Sequence, residues 1–316
     1  MLTGQVSSNS YRARLEQLVT TWKPDIVQAE LGTMAQYLAA VPKGKAARVL
    51  VEHDPGSLLL EELARCRGGL TGLLDLVDAR AWARYERRVA PNVDAAVVFS
   101  ERDRLAVARH VDPSRIYVIP PVVDLPAQPL DPYGTRPPSI LFVGMFLHRP
   151  NLDAAERLVG SIFPRVRQRC DDVRLVLVGA NAPEALLAQS ASDVVVAGAV
   201  TDVVPFLDRA TVVAAPLRLG SGVRVKVLEA LAAGKAVVAS SRAVEGLDVV
   251  DGEHVVLADE DADFAAAVVE LLKDPGRRVA LARAGRGWAE RKLGQDAEVR
   301  AYESVYETLI ELKRHA

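Results

Sequence analysis

Between Pro216 and Ser240 the chain reads PLRLGSGVRVKVLEALAAGKAVVAS, in the order strand end, glycine loop, helix, tight turn and next strand. That order constrains the fold more than any other stretch, because it is half of a nucleotide-binding α/β unit. An apolar run, Val212 to Ala215, stops at Pro216. Gly220 and Gly222 flank Ser221 where a helix is expected to begin, and Gly234 ends it before a second apolar run, Ala236 to Ala239. Glycines let backbone N–H groups approach a ligand and admit positive φ. A helix N-terminus offers unpaired donors and partial positive charge, which suits a phosphate. Arg224 is expected in the first turn, Lys226 just beyond it, and Glu229 further along the same helix. Arginine can fork two hydrogen bonds to a phosphate, whereas lysine acts as a point charge.

The remainder alternates short β-branched runs with longer helical stretches, the pattern of an α/β protein with parallel sheets. The first half gives strands at Asp25 to Ala29, Arg48 to Glu52, Asp94 to Phe99 and Arg115 to Ile119, with the longest helix from about Thr71 to Val89. Seven prolines between Pro120 and Pro138 mark a linker. Beyond it, strands are expected at Ile140 to Val143, Val173 to Val178, Val194 to Ala197, Val212 to Ala215, Ala236 to Ala239 and Val255 to Leu257. Asp202 and Asp261 are placed to N-cap the helices after them. Asp296 to His315 has helical periodicity. The expected domains are residues 1–124, a linker over 125–138, a second domain over 139–295, and a last helix over 296–316.

Half of the 316 residues are hydrophobic and a quarter charged, enough for a sizeable core. A net charge of −2 without long Lys/Arg runs argues against a nucleic-acid partner. Cys66 and Cys170 fall in different expected domains, and His110, His148, His254 and His315 form no metal-binding spacing. A reduced, cytoplasmic protein is the expectation. No apolar stretch approaches the ~18 residues of a membrane span, and the opening MLTGQVSSNS is polar. No G-x-S-x-G elbow or P-loop occurs, which weakens hydrolase and NTPase readings.

The segment from Pro216 to Ser240, taken with ILFVGMFLHRPNLDAAERL (Ile140 to Leu158) and AVEGLDVVDGEHVVLAD (Ala243 to Asp259), resembles the donor-binding half of family 4 glycosyltransferases. The resemblance implies the GT-B fold, two Rossmann-like domains with parallel sheets facing a central cleft. It implies a retaining enzyme that moves a sugar from a UDP- or GDP-linked donor to a glycan, lipid-linked or small-molecule acceptor. No metal or other cofactor is implied, because cations and helix dipoles would compensate the leaving diphosphate. A lipid-linked acceptor would be met at a membrane surface, so peripheral contact with the inner face of a membrane is compatible with the reading.

On this resemblance Gly144 and the Gly220, Ser221, Gly222, Val223 loop cradle the donor, and Arg224 serves the diphosphate. Lys226 either touches the ligand or pairs with Glu229 on the surface at i,i+3. Glu229 matches the second glutamate of the family's paired motif and would accept hydrogen bonds from the ribose. The first glutamate falls at Ser221, a departure. Where many relatives carry an arginine and a lysine after the first glycine, Met145 and Pro150 stand here, leaving Arg149 as the substitute or as a plain loop arginine. His53, in VLVEHDPGS, matches a histidine that touches the transferred sugar, with Glu52 and Asp54 beside it to tune its pKa; a histidine bonding its own loop is the alternative. Arg102, with Glu101 and Asp103, reads first as a charge cluster at a helix N-terminus and second as a group for the diphosphate, and Glu245 either faces the sugar or caps a turn.

Only four strands precede the linker, fewer than a GT-B first domain has. The family's first strand and glycine-rich loop have no counterpart in Met1 to Leu18. The expectation is therefore an incomplete first domain, native or truncated, or one completed by another polypeptide. A second reading follows: a degenerate or split transferase acting as a nucleotide-sugar-binding or interaction subunit.

Overall fold

The structure is a computed structural model that describes residues 7–67, 69–220 and 224–314. Among these, residues 7–121 and 296–314 form one compact unit, and residues 122–220 and 224–295 form a second.

In the first unit, α1 (Asn9–Trp22) is started by Ser8, whose hydroxyl accepts from the Tyr11 N–H. The chain continues through β1 (Ile26–Glu30), a 3₁₀ stretch (Gly32–Ala40) and β2 (Ala47–Glu52). A helical hairpin follows, α2 (Gly56–Arg67) and α3 (Gly69–Val89). Then come β3 (Ala95–Val98), α4 (Glu101–Val107) and β4 (Ile116–Val118). The strands form a parallel sheet in the order β1-β2-β3-β4, with Val49 opposite Ala95 and Val97 opposite Tyr117.

Alternation along the strands sends successive side chains to opposite faces. Leu50, Ala96 and Val98 pack with Leu38, Val89, Val107 and Val111 on one face. Val49, Val51, Ala95 and Val97 pack on the other, where Val305 and Leu309 of the last helix cover them.

The second unit opens with the proline-rich passage, laid along its surface. Leu130 N–H donates to Ala233 O, Thr135 N–H to Arg209 O, and the buried Lys235 amine to the carbonyls of Asp131 and Asp208. Arg286 donates to Pro126 O and Arg278 to Pro132 O.

From there run β5 (Ser139–Val143) and α5 (Arg149–Arg157), which passes through a π turn (Leu158–Ile162) into α6 (Phe163–Arg167). Next are β6 (Arg174–Val178), α7 (Glu184–Leu187), β7 (Val194–Gly198), α8 (Val204–Arg209) and β8 (Val212–Ala215). The unit closes with α9 (Val225–Ala232), β9 (Val237–Ala239), β10 (Val256–Leu257), α10 (Asp261–Lys273) and α11 (Pro275–Lys292). The six strands are parallel in the order β10-β9-β8-β5-β6-β7. The final helix, α12 (Gln295–Arg314), belongs to the first unit from Asp296 onward.

Two capping expectations change. The N-cap of α10 is Glu260, and the Asp261 carboxylate instead takes the Arg157 guanidinium at 2.5 Å. Asp202 does accept from the Val204 N–H at 2.9 Å, though Val203 holds the cap position of α8.

Candidate functional site

Strand ends in open parallel sheets face the ligand at their carboxyl side, and β5 ends at Val143 with Gly144 next. A Cβ on Gly144 would stand 2.8 Å from the Asn151 amide carbon, so glycine is needed for that side chain to approach. Asn151, in the first turn of α5, donates from Nδ2 to Met145 O at 2.9 Å and accepts on Oδ1 from the Lys226 amine. That amine also lies 4.9 Å above the centre of the buried Phe142 ring. Burial pushes it down from the usual lysine range to about 7; Arg224 adds repulsion and Glu229 works the other way. The expected surface pair of Lys226 with Glu229 does not form, because the amine turns inward to Asn151.

Helix α9 starts later than expected. α9 begins at Val225, which makes Arg224 its N-cap residue, with φ −88° and ψ 79°, rather than a member of the first turn. Gly220 has φ +110°, and a Cβ there would lie 3.1 Å from both Arg224 Nη2 and the Pro150 ring. Glycine is therefore favoured by its dihedral, and the close approach of Arg224 and Pro150 leaves little room for a side chain. Gly220, Pro150 and Arg224 thus meet beside the Gly144, Asn151 and Lys226 group.

Glu229 is half-buried; burial raises its carboxyl, Lys226 counteracts this, and Asp124 adds to it. Arg149, the first residue of α5, is exposed, with its guanidinium 3.5 Å from Glu156. Ser221, Gly222 and Val223 lie outside the described residues. Arg157 was not anticipated: buried behind the loop, it donates to Pro216 O at 2.9 Å and so fixes where the strand-to-loop turn begins.

In the first unit His53 follows β2. Its Nε2–H donates to Glu30 Oε2 at 2.8 Å, and its ring meets Phe99 edge-on with centroids 4.9 Å apart. The carboxylate partner is Glu30, at the end of β1, and not the neighbours Glu52 or Asp54. Gln28 links Glu30 to Tyr306: its Nε2 donates to Glu30 Oε1 and its Oε1 accepts from the Tyr306 hydroxyl, each at 2.6 Å. These residues line an open hollow of about 500 Å³ with Phe99, Tyr302 and Glu298. Burial, and the carboxylates of Glu30 and Glu298, push the Tyr302 phenol up; burial and Glu30 do the same to Tyr306.

Glu52 turns to the other face of the sheet. It lines a cavity of about 30 Å³ with Tyr85, Glu86 and His110, and burial with the Glu86 charge pushes it up to about 8 despite hydrogen bonds from Asp54 and Gly32 N–H. A Cβ on Gly32 would meet a Glu52 oxygen at 2.3 Å.

Two further candidates are engaged within their own surroundings. The Arg102 guanidinium is held by Glu62 of α2, and Glu245 accepts from Arg242 at 2.6 Å beside a 3₁₀ turn. Among the described residues no group of three His, Cys, Asp or Glu is arranged to hold a metal ion.

The sequence matches the model described as Glycosyltransferase Family 4 over residues 5–126 and that described as Glycosyl transferases group 1 over residues 137–274. No curated protein is similar to the chain in sequence. Among solved structures it is similar to sucrose-phosphate synthase from Thermosynechococcus elongatus, at 18% identity and TM-score 0.75, covering 96% of this chain and 78% of that one. It is similar to TarM of S. aureus at 14% identity and TM-score 0.73, covering 93% of this chain and only 58% of that one. HepE from Anabaena, solved with UDP and glucose, matches at 16% identity and TM-score 0.65, covering 97% and 82%. The solved structures carry the fold, two Rossmann-like domains with parallel sheets. The two sequence models together span well over half the residues in the order the motifs require, and the chain belongs to the family 4, or group 1, glycosyltransferases of GT-B fold.

Proposed function

We propose that this glycosyltransferase takes a sugar from a UDP- or GDP-linked donor and passes it, with retention, to a hydroxyl of a glycan, lipid-linked or small-molecule acceptor. The observation that carries the reading is the meeting of Gly220, Arg224 and Lys226 beside Gly144 at the carboxyl edge of a parallel sheet, with Glu229 further along α9. On this reading two kinds of group serve two parts of a nucleoside diphosphate, cations the diphosphate and a carboxylate the ribose. The Arg224 guanidinium and Lys226 amine neutralise the diphosphate, most of all as negative charge grows on it when the glycosidic bond breaks. Glu229 accepts hydrogen bonds from the two ribose hydroxyls, a task suited to two carboxylate oxygens. Arg149 reaches the diphosphate by leaving its exposed contact with Glu156.

His53 is assigned to the transferred sugar. Its Nε2–H is committed to Glu30, which leaves Nδ1 as an acceptor for a sugar hydroxyl. Residues on this chain supply all the cationic charge the reading needs, so the proposed chemistry uses no divalent ion. The UDP and UDP-glucose bound in HepE structures support a uridine donor by analogy of fold only.

Titration calorimetry with UDP, GDP and ADP tests the donor site, and Arg224→Ala and Glu229→Ala divide it. Arg224→Ala is expected to weaken UDP far more than uridine. Glu229→Ala is expected to weaken both alike, by about 1–3 kcal/mol for lost charged hydrogen bonds. Absence of binding by all three nucleotides at millimolar concentration would refute the assignment.

A further inference from the structure

The hairpin of α2 and α3 carries an apolar face that packs against nothing among the described residues of its own unit. On α3, Leu70, Leu73, Leu74 and Val77 recur at i, i+3, i+4 and i+7, the spacing of one helical face. Such a stripe ordinarily turns to the core. Here the opposite side of the helix does so, with Gly72, Asp75, Ala79 and Val89 buried, while the four apolar side chains are 75%, 54%, 59% and 53% exposed.

The same outward face then changes character. Arg80, Arg84, Arg87 and Arg88, all exposed, occupy its next three turns, and Asp78 is the one exposed acid among the described residues of α3. At ~1.5 Å per residue the apolar part is about 10 Å long and the arginine part continues it along the same face, so a helix lying in the interface plane presents both to the lipid at once. On that face the apolar side chains suit the acyl boundary and the guanidinium groups suit the phosphates of the same leaflet. The whole chain carries a net charge of −2, so the positive band is a local feature.

We propose that the α2–α3 hairpin seats this protein on an anionic lipid surface. Leu70, Leu73, Leu74 and Val77 enter the boundary between headgroups and acyl chains, and the four arginines meet lipid phosphates. A second copy of the chain fits this face poorly: a parallel two-fold contact crowds arginines together, and an antiparallel one sets guanidinium groups against leucines. The hairpin lies on the bilayer and does not cross it: no described helix is long and apolar enough for that. The inference stands on the hairpin alone and does not depend on the donor assignment.

Co-sedimentation of the full chain with vesicles of phosphatidylcholine, with and without phosphatidylglycerol, at low and high salt, is the test. Binding is expected only with phosphatidylglycerol, and it should fall as salt rises. R84Q/R88Q is expected to weaken that binding roughly 25-fold, at about fivefold per arginine near an anionic surface. L70S/L74S should abolish it without moving the melting temperature, since both side chains are exposed. A Leu74→Trp reporter should shift its emission to the blue on the anionic vesicles alone. The proposal is overturned if neither vesicle sediments the chain or if R84Q/R88Q binds like the parent. It is also overturned if L70S/L74S dissolves a dimer while leaving lipid binding intact.

Discussion

Lys226 carries a conditional charge. An amine held near 7 by burial and by Arg224 is partly neutral at physiological pH, and a diphosphate placed against it would restore its proton. Binding of UDP should then take up protons, and affinity should fall as pH rises above 7, by at most about tenfold per pH unit. Uridine, which lacks the phosphates, should show no such dependence, and Lys226→Met should flatten the UDP profile. Calorimetry in buffers of different ionisation enthalpy measures the proton directly. A flat profile in the parent protein would remove Lys226 from the diphosphate.

Glu52 presents the opposite case, an acid kept neutral. Its folded pKa, about 8, lies above the 4.5 of an unhindered glutamate, so the native state binds the extra proton. Stability is fully present below about 4.5 and is lost as pH rises toward 8. Glu52→Gln keeps the shape and removes the titration. It should match the parent at pH 4 and exceed it by a few kcal/mol (~1.4 per pKa unit) at pH 8, as read from urea midpoints at each pH. Parallel profiles for the two proteins would contradict the assignment.

Several groups that shape these sites escaped the sequence because their partners are remote. Lys226 finds Asn151 across 75 positions, Arg157 finds Pro216 across 59, and His53 finds Glu30 across 23. Local spacing offered Glu229 to Lys226 and Glu52 to His53. Strand alternation and helix packing, which act over the whole sheet, chose otherwise.

At the scale of elements the sequence was far more legible. The ten strands among the described residues lie within about one residue of where β-branched runs placed them, since a buried parallel strand is a nearly continuous apolar run. The start of α9 was harder. The loop before it offers no Ser, Thr, Asp or Asn at the cap position, and a helix that opens on an arginine gives no sequence mark of its first turn.

α12 illustrates how an element's two sides differ. Val305 and Leu309 are 4% and 7% exposed against the sheet, while Leu312, three residues on, is 63% exposed. Leu309→Ala should cost about 2–4 kcal/mol, and Leu312→Ala should stay within about 0.5 kcal/mol of the parent. Equal losses in urea denaturation would mean that α12 does not cover the sheet as described.

On the scale of the molecule, strand alternation and the proline-rich passage marked out an α/β protein in more than one part. They could not reveal how closely that passage is fastened to the second unit. Its anchors are backbone carbonyls met by Lys235, Arg278 and Arg286, side chains that look in sequence like ordinary surface cations.

The cover that α12 gives to the first sheet also bears on how the protein is made. Strands β1 to β4 leave the ribosome before residues 122–295, and the helix that shields Val49, Val51, Ala95 and Val97 follows only after them. At ~5–20 residues per second that interval is on the order of ten seconds or more. Throughout it an apolar sheet face awaits its partner, while the second unit can already close on its own core. Nascent chains stalled just before α12 should therefore be cut readily by protease within residues 47–98 and resist it within 139–290. Until α12 emerges the first sheet keeps one face open, and its strands are where a chaperone would have the most to hold.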